Sequence, residues 1–89
     1  MTFREAFLLA CDLHPTATKG RAKLLARVRR ADVRNKRVAA RWARLEKRIA
    51  AKYRKDTGQE VGDWRDILDW LVTNLPAILK IILTILMLF

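Results

Sequence analysis

Apolar residues follow helical spacing through most of this chain and merge into an almost unbroken run near its end. In the first stretch, Phe3, Phe7, Leu8 and Cys11 fall on one face of an α-helix. Thr2-Phe3-Arg4-Glu5 has the form of a capping box: the Thr2 hydroxyl accepts from the Glu5 amide while Glu5 reaches back. The predicted helix runs to about Asp12 and ends at His14-Pro15, because a residue before proline avoids helical dihedrals.

Thr16 or Thr18 is placed to cap a second helix. Between Arg21 and Lys55 there is no proline or glycine, and Ala, Arg, Lys and Leu abound. One helix is therefore expected to run to about Thr57, with Lys52, Arg54 and Lys55 in its last turn and Gly58 just past its end. Roughly 40 residues make a rod of about 60 Å. Such a rod is too long for a small globule, so an extended molecule is expected.

Read in sevens, Val28, Asn35, Trp42 and Ile49 take a positions, and Ala31, Val38 and Leu45 take d positions, with Leu24 extending the line backwards. Arg27 with Asp32 and Arg41 with Glu46 have the five-residue offset of interchain g–e′ pairs, and Asn35 is a polar residue of the kind that fixes register. This is a candidate oligomer seam. An amphipathic helix packing on its own neighbours has the same spacing, so both arrangements stay open.

Residues 58–62 read as a linker. Asp63 then caps a third helix, which Pro76 either kinks or splits to start a separate final one. From Trp70 to Phe89 the clearly polar residues are Thr73, Asn74, Lys80 and Thr84. Twenty helical residues span about 30 Å, the thickness of a bilayer's hydrocarbon core. Trp70, Leu71, Leu75, Ile78, Leu79, Ile82, Ile85, Leu86 and Phe89 are the expected membrane or hydrophobic anchor, with Trp64 and Trp70 at its interface. Lys80 would cost about 2.5–3.5 kcal/mol at mid-membrane. Asp66, Asp69, Thr73, Ala77, Lys80 and Thr84 form one polar or small stripe along this segment, suited to a pore or bundle centre. The alternative environment is a hydrophobic protein groove or oligomer core, with Lys80 snorkelling out.

The predicted fold class is thus all-α, with a short capped helix over 1–14, a long basic helix over 16–57, the linker, and a hydrophobic tail over 63–89. Charge sharpens this picture. The chain of 89 residues carries a net +10, yet residues 19–56 alone hold sixteen Lys and Arg against Asp32, Glu46 and Asp56. Arg29, Arg30, Lys36, Arg37, Arg44, Lys47 and Arg54 occupy outward positions and are the candidate polyanion contacts, with nucleic-acid backbone or anionic lipid as the partner. Arginine predominates, which suits phosphate because its fork binds two oxygens. No known DNA-reading motif is present. Dense positive charge before the tail predicts that this part stays cytoplasmic.

Residues 1–13 include Arg4, Glu5 and Asp12 and do not read as a secretory leader. Cys11 is the single cysteine, so no internal disulfide is expected. His14 stands alone, and no Gly-rich phosphate loop, nucleophile elbow or Cys/His cluster occurs. No catalysis, metal or cofactor is expected. A basic helical block at Lys19–Lys55 followed by a hydrophobic end at Trp64–Phe89 resembles small phage-encoded proteins of virions or of host-membrane lysis. That resemblance implies many copies in a larger assembly, inside a virion or at a membrane. The expected function is non-enzymatic: a structural protein joining a hydrophobic anchor to a polyanion. A fragment ending at Gly62 is then expected to stay soluble and bind nucleic acid. An oligomeric, holin-like pore former and a soluble helical module with its tail in an oligomer core are the alternatives.

Overall fold

The computed structural model describes residues 1–14, 19–20, 22–30 and 34–86. Among the described residues five α-helices follow in order: α1 (Phe3–Leu13), α2 (Ala22–Arg30), α3 (Lys36–Thr57), α4 (Leu68–Thr73) and α5 (Leu75–Leu86), with a 3-10 turn (Trp64–Ile67) before α4. No strand occurs among the described residues.

Local chemistry sets the ends of these helices. The Thr2 hydroxyl accepts from the Glu5 amide at 3.2 Å and donates to the Glu5 carboxylate at 3.0 Å. Gly58, at φ 74°, closes α3 in the left-handed region that glycine enters freely, its N–H donating to the Arg54 carbonyl. The Asp63 carboxylate accepts from the Arg65 amide and starts the 3-10 turn. The predicted caps at Thr16 and Thr18 lie outside the described residues.

Two expectations about length require correction. The helix predicted over 16–57 is not continuous. Arg34 and Asn35 form a turn, and Asn35 has an extended backbone (φ −67°, ψ 125°). Its side chain accepts from the Arg37 amide at 2.9 Å, making it the N-cap of α3 rather than a register-fixing residue within a rod. The C-terminal segment is divided too. The Asn74 amide and carboxamide both donate to the Trp70 carbonyl and close α4, while the Asn74 carbonyl accepts from Ile78 in α5. Pro76 lies in the first turn of α5, where its missing N–H leaves no helical bond unmade. The 12 residues of α5 reach about 18 Å, against the roughly 30 Å of a bilayer core. Among the described residues no helix is long and apolar enough to cross a membrane.

The expected extended shape is replaced by a compact one. The radius of gyration is 12.4 Å and the extents are 32 × 30 × 21 Å. A globular domain of this length has a radius of gyration of about 12 Å. The cause is reciprocal burial. Chiefly, α1 packs on α4 and the 3-10 turn, and α3 packs on α5. One core holds Phe3, Ala6, Phe7, Ala10 and Cys11 of α1, Trp42, Leu45, Ile49 and Tyr53 of α3, and Leu75, Ile78, Leu79 and Ile82 of α5. Burying each large aliphatic side chain contributes about 1.5–3 kcal/mol, which a rod with separated faces would forgo. At one end, Phe3 meets Trp64 and Trp42 at ring-centroid distances of 4.7 and 6.1 Å. At the other, Tyr53 and Trp70 pack edge to face at 5.2 Å.

Candidate phosphate-binding surface

The described side chains of the proposed seam lie within this fold. Val28, Trp42, Leu45 and Ile49 are buried in the chain's own core, Val38 is partly buried against it, and Asn35 is the exposed cap. Ala31 and Asp32 lie outside the described residues. Glu46, the expected interchain partner of Arg41, accepts from the Trp64 indole N–H at 2.9 Å.

The anchor residues divide similarly. Leu71, Leu75, Ile78, Leu79 and Ile82 are buried, Trp70 and Ile85 partly so, and Phe89 lies outside the described residues. The Leu86 backbone ends α5. Trp64, expected at an interface, is a core residue. The polar stripe faces outward: Asp66, Asp69, Thr73, Ala77, Lys80 and Thr84 are all exposed. It is the outward-facing side of α4 and α5, with Lys80 among its exposed side chains.

Among the described residues no charged side chain is buried, so the cations sit on the surface. Their densest array is on α3. At 3.6 residues per turn, Lys36, Lys47 and Arg54 make one row, and Arg37, Arg44, Arg48 and Lys55 a second row about 90° around the helix. All seven are exposed. The acids of α3 lie elsewhere: Glu46 is held by Trp64, and Asp56 pairs with Lys52 at 3.5 Å. Arg54 reaches Glu60 at 3.3 Å, an exposed pair of little strength. Among the described residues no acid pairs with Lys36, Arg37, Arg44, Lys47, Arg48 or Lys55.

Arg48 and Lys55 were missing from the candidates named by sequence, although they continue the Arg44 line at helical intervals of four and seven. Lys36 and Arg37 also occupy the first turn of α3, where there is no acid and the macrodipole is positive. Cations there repel the helix end, and a bound anion would relieve both.

The cations of α2 are more committed. Arg29 donates to Asp12 at 2.6 Å, while Arg30, Arg27 and Lys23 are exposed. Arg4 holds this helix in place, donating to the Val28 and Arg29 carbonyls at 3.2 and 2.9 Å while lying over the Trp42 ring at 5.9 Å. One side chain from α1 thus satisfies the C-terminal carbonyls of α2 and stacks on α3.

A cleft of about 360 Å³ opens between the first turn of α1 and the middle of α3, lined by Phe3, Arg4, Glu5, Ala39, Trp42 and Glu46 among others. It carries both signs of charge and lacks the single-signed character of the outer face of α3. Cys11 is buried, and burial pushes its thiol from about 9 up to about 11, outweighing the lowering effect of Arg29.

The fold and this surface define a compact all-helical domain with one cationic face. No protein-family profile, curated protein or solved structure matches the chain.

Proposed function

We propose that this protein is a non-enzymatic binding protein whose α3 face engages the phosphate groups of a polyanion. The observation carrying this reading is the exposed strip of α3 from Lys36 to Lys55, with seven cations and no acid among its two rows. Like charges crowded this closely repel one another and destabilise the free protein slightly, and phosphates on a partner reverse the sign of that term. Arginine forks at Arg37, Arg44 and Arg48 suit two-oxygen contact with phosphate. A place in a multi-copy structural assembly fits the resemblance to small phage-encoded virion proteins. The apolar C-terminal residues then serve the fold, and attachment to any assembly runs through the surface.

The test is titration of the full chain into fluorescently labelled nucleic acid over a range of salt. If five to seven phosphates are neutralised, log K should fall with log salt at a slope of about −4.5 to −6.3. Absence of binding to nucleic acid and to anionic vesicles at low salt would sink the reading.

A further inference from the structure

Beside the single-signed face of α3 lies the cleft of mixed charge. Phe3 and Trp42, with ring centroids 6.1 Å apart, give it an aromatic side, and Ala39 and Ala43 keep its α3 wall low. Its volume of about 360 Å³ falls in the range of small-ligand sites. Hydrogen-bonding capacity is left over among its lining residues. Trp42 is 7% exposed, yet its indole nitrogen has no acceptor in the protein. The Arg4 Nε is likewise buried without an acceptor, while a terminal nitrogen of the same guanidinium holds the α2 carbonyls. A buried donor without an acceptor is a standing cost, which a ligand's oxygen or ring nitrogen would relieve.

The two acids of the cleft are the converse case. Glu5 accepts from the Thr2 hydroxyl and Glu46 from the Trp64 indole, each through one carboxylate oxygen, and neither forms an ion pair among the described residues. A ligand that meets both sets carries donors and acceptors along one flat edge. A peptide group does so, and so does a nucleobase. Position decides between them. Lys36 and Lys47 bracket the α3 wall of the cleft, about 16.5 Å apart along the helix axis. Ala43 lies about 20° around the helix from Lys36 and about 40° from Lys47. A strand whose phosphates follow these lysines therefore passes the mouth of the cleft. Inside a duplex a base has its pairing edge occupied and its faces stacked, whereas a single strand can splay one out.

Resting on the phosphate-binding reading, we infer that this cleft receives one unpaired base of a single-stranded nucleic acid whose phosphates lie along Lys36 and Lys47. Glu5 and Glu46 accept from exocyclic amino groups and repel carbonyl oxygens. Cytosine, with its N4 amino group, is therefore favoured over thymine, which has O4 at that position.

The experiment titrates the full chain at neutral pH and low salt against labelled strands of equal length and phosphate number: oligo-dC, oligo-dT and an abasic strand. Oligo-dC should bind tightest, roughly tenfold above the abasic strand, with oligo-dT close to the latter. The salt slopes of oligo-dC and the abasic strand should be equal, because a base adds affinity without adding a phosphate. Ala39→Leu with Ala43→Leu, at two exposed positions, fills the cleft without changing charge and should bring oligo-dC down to the abasic level. Glu46→Gln keeps an oxygen for the Trp64 indole and should erase the preference for oligo-dC over oligo-dT. Thermal midpoints are measured first to establish that each variant folds. Equal affinity for the three strands, or a preference for oligo-dC that survives in either folded variant, would overturn the base site and leave phosphate binding standing. Failure to bind any strand would remove the base site, and the phosphate reading with it if anionic vesicles were also ignored.

Discussion

Helices α3 and α5 have almost the same inner face and opposite outer faces. Trp42, Leu45, Ile49 and Tyr53 line one, Leu75, Ile78, Leu79 and Ile82 the other, and the two pack together. Outside, α3 presents seven cations, whereas α5 presents Pro76, Ala77, Thr84 and the lone Lys80. An apolar helix is thus not by itself a signal for membrane. What counts is whether another element in the same chain covers it, and α3 does. The outer faces then differ: the described outer residues of α5 carry one charge, Lys80, whereas the outer face of α3 is charged beyond what folding requires.

The sharpest way to break this contrast is to remove α5. Truncation before Leu75 strips four core side chains and should abolish the cooperative thermal transition, read by near-ultraviolet circular dichroism. A fragment ending at Gly62 loses Trp64, Ile67 and Leu71 as well and should likewise lack a cooperative transition. At single-residue scale, Leu79→Ala should cost about 2–5 kcal/mol, while its outward neighbour Lys80→Ala stays within about 0.5 kcal/mol.

On α3 the contrast inverts. Arg44→Glu with Arg48→Glu should leave stability within about 1 kcal/mol yet weaken nucleic-acid binding by at least roughly tenfold. Equal binding by this variant would show that the charged face is merely solvated. Between these extremes lies Arg4, whose two carbonyl bonds and contact with Trp42 join α1, α2 and α3. Arg4→Met should cost about 2 kcal/mol by urea denaturation, because the α2 carbonyls lose a charged donor.

The smallest effect concerns Cys11. Its folded-state thiol titrates near 11 rather than 9, so the unfolded chain releases its proton first as pH rises. Stability attributable to Cys11 is therefore constant below about pH 9 and is lost as pH climbs towards 11. Subtracting the pH profile of Cys11→Ala from that of the parent chain isolates this decline.

The sequence made the helical class readable, along with several punctuation marks: Thr2, Gly58, Asp63 and the break associated with Pro76. It left Asn35 ambiguous, because asparagine is equally at home at a polar a position and at an N-cap, and nothing nearby in the chain says which. Spacing of three and four residues is common to a coiled-coil seam and to a helix packed on its own core, so Trp42, Leu45 and Ile49 could not choose between them. Hydropathy summed along Trp70–Phe89 hid the joint at Asn74, although Asn two residues before Pro76 was the available sign of a break. The outward phase of Ala77, Lys80 and Thr84 was likewise visible, and it marks the solvated side of an amphipathic helix as well as it marks a pore. Of the cationic surface, charge and phase were legible but membership was not. Arg29 is taken by Asp12 across 17 positions of sequence, a pairing that only the fold creates.

Native-state hydrogen exchange at Ile78, Leu79 and Ile82, without lipid or detergent, tests most directly whether α5 belongs to one cooperative unit with α3. These amides should exchange only through global unfolding, with the same free energy as Leu45 and Ile49. If the α5 amides exchanged freely in water and gained protection only on adding lipid, the apolar segment would not be the core of this protein.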